Sequence, residues 1–294
     1  MGKRRILAIA TGTVLAATGI SAPAADAAST NCFKAIGWPV TGNWDGIGGD
    51  GIGVVEAHGD GLWWYLRDAP NSGKIDYQFR FGRAGDQPVV GNWDGMGGDG
   101  PGTVRPVKVS DVFDDWHWEL RDVPDGGNPK YVFDYGRAYA YGLRTYLPVT
   151  GNWDGVGGDG PGVAGGDANG SKAWHLRDSA TGGDPDYNLV YGQAGLGNDK
   201  PMAGDWDGDG RDGPGVVRTT NDRLSWLERN ELSSGTADIG FDYGVASDCN
   251  VVGDWDGIGG DGPGVVRGAS GGRLEWHLRN GAGAGEQPSV FLYP

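Results

Sequence analysis

Positive charge is scarce in this sequence: 24 Lys and Arg stand against 39 Asp and Glu, a formal net charge of −15 over 294 residues. Nucleic acid and anionic membrane surfaces reward clustered Lys and Arg, so both are disfavoured as partners, and cations are the natural counter-species. Beyond residue 20 there is no apolar run long enough to span a bilayer, which argues against membrane insertion. Cysteine is reduced to Cys32 and Cys249; in an oxidising compartment these can pair, leaving no thiol for catalysis. The composition also disfavours long helices. The 59 Gly and 16 Pro make up about a quarter of the chain. Inside a helix Gly costs roughly 1 kcal/mol relative to Ala, and Pro roughly 3.

What is present is aromatic surface: 13 Trp, 11 Tyr and 7 Phe, too much apolar area to leave in water. Many short strands joined by Gly-rich turns suit this composition best. The first 27 residues read as a secretory signal peptide. Lys3, Arg4 and Arg5 precede an apolar run from Ile6 to Ile20, and Ser21 to Ala27 supplies a small-residue cleavage site after Ala27. Its removal takes away three bases and one acid, leaving 21 against 38 and a net charge of −17. The expected product is secreted and extracellular, with residues 28–38 as a lead-in.

Internal repetition is the strongest signal. Asn/Asp-Trp-Asp-Gly begins at Asn43, Asn92, Asn152, Asp205 and Asp254, at intervals of 49, 60, 53 and 49 residues. Each copy runs into a Gly-Val type strand such as Pro214-Gly215-Val216-Val217-Arg218. A Trp-x-Leu-Arg strand follows (Trp64 to Arg67, Trp118 to Arg121, Trp174 to Arg177, Trp276 to Arg279), then an aromatic alternating strand such as Tyr77 to Phe81. The fourth copy departs with Trp226-Leu227-Glu228-Arg229. Four short strands in units of about 50 residues predict an all-β, five-bladed β-propeller of four-stranded blades. It fills 39–294, with repeats starting near 39, 88, 148, 201 and 250. Cys32 and Cys249 each precede the innermost strand of a terminal blade, and those strands are neighbours only in a closed ring. A disulfide there would close some 200 residues and contribute roughly 4–5 kcal/mol on the loop-entropy model.

The units resemble the FG-GAP/VCBS type of propeller repeat, in the form found in secreted actinobacterial proteins, where Gly-Asp-Trp-Asp-Gly-Asp-Gly recurs as a loop. The resemblance covers nearly all the mature chain. It implies an integrin-like or lectin-like propeller, and it implies calcium in the acidic turns. Carried onto this sequence, the ligands are Asp205, Asp207, Asp209 and Asp212, with the Arg211 carbonyl as a fifth. Carboxylates at positions 1, 3 and 5 with Gly at 6 also reproduce the first half of an EF-hand-type loop. The other turns keep fewer charged ligands: Asn43, Asp45 and Asp50; Asn92, Asp94 and Asp99; Asn152, Asp154 and Asp159; Asp254, Asp256 and Asp261. Position 5 in these is Ile47, Met96, Val156 and Ile258. For them a metal-free turn, held by Asp side chains on backbone N–H groups, is an equal alternative. In either case the role is structural.

No catalytic constellation emerges, and the chain reads as non-enzymatic. His117, His175 and His277 fall in the Trp-bearing strands, and His58 lies in a hairpin with no nucleophile nearby. The Gly-x-Ser-x-Gly match at Gly268 to Gly272 lies between strands, where the motif has no strand-to-helix elbow. Trp64, Trp118, Trp174, Trp226 and Trp276 are expected to pack between blades, with the adjacent arginines paired to the acidic turns. Those turns join strands one and two of each blade. The hairpins between strands two and three and the blade crossovers then lie on the opposite face. Repeat two carries two insertions on that face, Pro106 to Asp115 and Arg137 to Leu147, expected as loops. The second bears Tyr139, Tyr141, Arg144 and Tyr146, suited to stacking on a sugar ring or anchoring a protein.

The expected function is a secreted lectin-like propeller recognising carbohydrate or bacterial cell-wall glycan. One specific form is a target-binding subunit alongside other proteins of a secreted toxin complex. The alternative is a scaffold or inhibitor docking a protein partner through Tyr139–Tyr146.

Overall fold

The computed structural model describes residues 37–111, 113–140, 145–167, 169–194, 199–281 and 288–294. The expected signal segment, Cys32, Tyr141 and Arg144 lie outside these residues. Twenty strands form five antiparallel four-stranded sheets, each built from one continuous stretch of chain. Blade one holds β1 (Trp38–Gly42), β2 (Gly51–His58), β3 (Gly61–Arg67) and β4 (Tyr77–Arg83). Blade two holds β5 (Gln87–Gly91), β6 (Gly100–Lys108), β7 (Phe113–Leu120) and β8 (Tyr131–Ala140). Blade three holds β9 (Tyr146–Gly151), β10 (Gly160–Gly166), β11 (Ser171–Leu176) and β12 (Tyr187–Gln193). Blade four holds β13 (Lys200–Gly204), β14 (Gly213–Thr220), β15 (Arg223–Glu228) and β16 (Ile239–Val245). Blade five holds β17 (Cys249–Gly253), β18 (Gly262–Gly268), β19 (Leu274–Leu278) and β20 (Ser289–Tyr293). The protein is an all-β five-bladed propeller; among the described residues no helix is long and apolar enough to cross a membrane.

One tryptophan per blade sets the packing. Trp64, Trp118, Trp174, Trp226 and Trp276 are buried. Each indole N–H donates to a backbone carbonyl 17 residues on, those of Phe81, Tyr135, Tyr191, Tyr243 and Tyr293, at 2.8–3.1 Å. The large ring fills the blade surface while its one polar atom is satisfied, so its burial leaves no unpaired donor. Adjacent blades interlock through the Gly-Val strands: Val163 of blade three packs into the core of blade two, Val216 of blade four into that of blade three, and Val265 of blade five into that of blade four.

Ring closure uses the same contacts as any other seam. Ile52 and Val54 of β2 pack into the blade-five core with Val251, Trp276 and Tyr293. The Thr41 hydroxyl of β1 donates to the Val252 carbonyl of β17 at 2.6 Å. Cys249 is buried at the start of β17; its expected partner lies outside the described residues.

Crossovers between blades are pinned by charge. Asp199, fully buried, accepts two bonds from Arg218 (2.7 and 2.9 Å) and one from the Gln193 backbone N–H (2.7 Å). Asp248 takes one bond from Arg267 and one from the Val245 N–H, and Asp86 one from Arg105 at 3.5 Å and one from the Arg83 N–H. A buried carboxylate with several donors is tolerable where a lone one would not be.

Candidate functional site

The acidic turns are 43–50, 92–99, 152–159, 205–212 and 254–261, each joining the first two strands of a blade. They meet one another around one end of the ring. The last Asp of each turn does not fold back onto its own turn; it reaches the first residue of the preceding blade's turn. The backbone N–H of Asn43 donates to Asp99, Asn92 to Asp159, Asn152 to Asp212, Asp205 to Asp261 and Asp254 to Asp50, at 2.6–3.0 Å. In return the backbone N–H of each of those aspartates donates to the carbonyl of its partner, at 2.5–2.9 Å. Five reciprocal clasps thus complete a circle, the fifth joining the first and last blades.

These clasps explain a glycine the repeat never changes. A Cβ on Gly42, Gly91, Gly151, Gly204 or Gly253 would lie 2.7–2.8 Å from the clasping carboxylate oxygen. Only Gly lets the carboxylate come this close to the backbone. Burial also raises these carboxyls: Asp99 and Asp261 to about 7, Asp159 to about 6, and Asp50 and Asp212 well above the ordinary aspartate value. Repulsion between members of the ring adds to the effect in Asp50, Asp99, Asp212 and Asp261.

Of the residues carried over as calcium ligands, Asp205, Asp207 and Asp209 come together, with one carboxylate oxygen from each within 4.8 Å of the others. That is a hard-oxygen donor set with the charge a divalent cation requires, so these three side chains fit calcium. Asp205 also accepts the N–H groups of Gly208, Asp209 and Gly210, which folds the turn tightly around it. Asp212 is turned instead to the Asn152 N–H. In the other turns Asp45, Asp94, Asp154 and Asp256 accept the N–H two residues on, from Ile47, Met96, Val156 and Ile258, at 2.8–3.0 Å. These are Asx-turns, and the first residue of the turn adds bonds in blades one, two and five, from Asn43, Asn92 and Asp254.

On the opposite face, the described parts of the blade-two insertions are largely strand, with a bend at 110–111; Tyr141 and Arg144 lie outside the described residues. β6 has 9 residues and β7 has 8, against at most 8 and 7 in the equivalent strands, and β8 has 10 against the 7 of β4, β12 and β16. Alternating residues continue the hairpin ladder, with Phe113 opposite Ala140 and Asp114 opposite Tyr139. The Arg137 guanidinium lies 4.1 Å from the centre of the Phe113 ring. Tyr146 opens β9, half-buried, its ring 5.8 Å from that of His175 and its carbonyl accepting the Trp116 indole N–H at 3.1 Å. Phe113, Trp116, Arg137 and His175 therefore belong to this region, beside Tyr146. A hairpin tip that is longer than in the other repeats and rich in aromatics was the available signal.

Four of the strand-end arginines turn to their own blade rather than to the acidic turns. Arg67, Arg121 and Arg177 bond the polar side chain four residues on (Asn71, Asp125, Thr181), and Arg229 bonds Ser233 there. All four also donate to the carbonyl seven residues on. They thereby brace the loop between the third and fourth strands of their own blade. A polar residue four after each of these arginines was the sequence clue. Ser270 lies in a single 3-10 turn, Ser270–Gly272, between β18 and β19. His117 is bonded to Asp134 at 2.6 Å and His58 to Glu56 at 2.7 Å. No family model and no curated protein matches this chain.

Proposed function

We propose that this propeller is a secreted, non-catalytic binding protein of FG-GAP/VCBS type that recognises carbohydrate on bacterial cell surfaces, alone or as the target-binding subunit of a larger secreted complex. The observation that carries this reading is the blade-two extension. One blade of five lengthens three of its strands on one face and sets Phe113, Arg137, Trp116, Tyr146 and His175 around them. An aromatic ring with a charged planar neighbour suits the apolar face and hydroxyl edge of a sugar. Calcium bound by Asp205, Asp207 and Asp209 would stiffen the opposite end of blade four; its part is structural.

The test is a pull-down of mature protein with purified cell walls, together with a glycan array, each with and without EDTA. Saturable binding competed by free sugar, and lost in Phe113→Ala with Arg137→Ala, supports the reading; no binding to any glycan removes it. One observation favours the alternative, a protein docked on residues 139–146: the extension occurs once, so it offers a single site. Binding at several equivalent sites would exclude that alternative and move the sugar site from the extension to a position repeated in every blade.

A further inference from the structure

Four large apolar side chains stand at the tips of the acidic turns: Ile47, Met96, Val156 and Ile258, exposed by 72–79%. They occupy one repeat position in blades one, two, three and five, and the remaining blade, blade four, carries Asp209 there. The turn itself does not ask for them. The N–H of this residue is fixed by the Asp two residues earlier, and blade four closes its turn with a carboxylate at the same place. β-branched residues are poor turn formers, and water penalises each exposed side chain.

Nor are the four scattered. The turns abut through their backbones: a Cβ on Gly46 would lie 2.7 Å from the Gly97 carbonyl carbon, and one on Gly257 2.8 Å from that of Gly48. The tips therefore form one crown around the end of the ring, of the kind that marks an interaction surface. Its surroundings have a single sign. Asp45, Asp94, Asp154, Asp207 and Asp256 sit beneath the tips, and no Lys or Arg occurs in the turns of blades one, two, three and five. Lys130 is committed to Asp94 and Asp122, which leaves Arg211 as the cation within the turns.

We propose that this crown is a docking surface for a basic protein segment that sets apolar side chains among lysines or arginines. Charge complementarity selects this occupant. A second copy would bring a net charge of −15 against the same acidic crown, and an anionic membrane would be repelled. The surface lies at the opposite end of the ring from the blade-two extension and does not depend on that reading.

The test uses the mature protein and a variant with Ile47→Ser, Met96→Ser, Val156→Ser and Ile258→Ser, whose side chains are exposed enough to leave the core alone. Fluorescence anisotropy is measured with a labelled peptide of leucine and lysine and with oligolysine of equal charge, at low and physiological salt. The expected result is roughly tenfold tighter binding of the Leu–Lys peptide, lowered to the oligolysine level in the variant, with both affinities falling as salt rises. Equal binding of the two peptides, or undiminished binding in the variant, overturns the proposal. Sedimentation of the protein as a dimer that the variant dissolves would assign the crown to a second copy instead. Flotation with phosphatidylcholine–phosphatidylglycerol vesicles would assign it to lipid. A Tm unchanged between protein and variant keeps a loss of binding from being a loss of fold.

Discussion

Asn43 and Asp99 clasp each other across the seam between blades one and two: the Asn43 N–H donates to the Asp99 carboxylate at 2.7 Å, and the Asp99 N–H donates back to the Asn43 carbonyl at 2.7 Å. The same exchange at Asp254 and Asp50 makes the terminal seam equivalent to the internal ones. Asp99→Ala strips the acceptor from a part-buried N–H and should cost about 1 kcal/mol, the low end of the desolvation penalty of an orphaned donor. Asp99→Asn keeps an acceptor oxygen and should cost clearly less. Urea unfolding of both variants checks the order; equal losses would mean that the charge, not the acceptor, matters.

Glu228 stands where the other blades place Leu66, Leu120, Leu176 and Leu278. It is buried, one carboxylate oxygen has no partner, and burial, with repulsion from Asp261 second, raises it to about 8. Because the folded value exceeds the unfolded one, the protonated form stabilises the fold below about pH 4.5, and that contribution is lost as pH rises towards 8. Glu228→Leu should therefore be more stable than the parent at pH 8. Its advantage should grow by roughly 1.4 kcal/mol per pH unit inside that window. Thermal melts of both proteins from pH 4 to 9, taken as differences, isolate this group from the other carboxylates; parallel curves would refute it.

The crossover staple between Arg218 and Asp199 predicts a strong asymmetry. Asp199 is fully buried while Arg218 is partly exposed. Arg218→Ala leaves a buried carboxylate without its ion partner and should cost about 3 kcal/mol. Arg218→Ala combined with Asp199→Asn removes the stranded charge and should recover part of that loss. A double-mutant cycle in denaturant measures the coupling; additive losses would show that the pair is no more than two separate contacts.

How much of this could be read in the sequence depended on whether a residue acts inside its own repeat. Trp64, Trp118, Trp174, Trp226 and Trp276 were legible as packing residues because a strand of alternating burial repeats at the blade interval. Asp50, Asp99, Asp159, Asp212 and Asp261 were visible only as the ends of acidic turns. Their partners lie one repeat upstream, or at the far end of the chain for Asp50, and spacing within a turn does not reveal a bond between turns. The arginines of the Trp strands were misassigned for the opposite reason. An acidic turn is an attractive partner in composition, but the extended side chain of Arg67 meets Asn71 and the Lys74 carbonyl first. In the blade-two insertions tyrosines and arginines suggest solvent-facing loops, yet the hairpin ladder continues as far as Phe113 and Ala140.

A Cys32–Cys249 bond, if formed, adds to a seam that the Asp50–Asp254 clasp and the Ile52 and Val54 packing already hold. Cys32→Ser with Cys249→Ser should therefore still give a folded propeller, with a stability loss of up to about 5 kcal/mol from the freed unfolded chain. Mass measurement of the alkylated native protein tells whether the bond is present. A variant unable to fold at all would show that the terminal seam cannot stand without it.

Calcium should act on one turn far more than on the rest. Asp205, Asp207 and Asp209 gather three carboxylates, whereas the equivalent position in the other turns is a projecting apolar tip. Three like charges held this close repel, so millimolar calcium should raise Tm and EDTA should lower it. The gain follows RT ln(1 + [L]/Kd), or about 2.7 kcal/mol at a hundredfold excess over Kd. Asp209→Ile gives blade four the turn residue of blade one and removes one ligand. It should abolish most of the calcium-dependent shift while leaving the calcium-free Tm unchanged or higher, since it also relieves repulsion. Isothermal titration should count close to one strong site in the parent and none in the variant. Five equal sites, or a shift that survives Asp209→Ile, would place calcium on the turns as a class rather than on this carboxylate cluster.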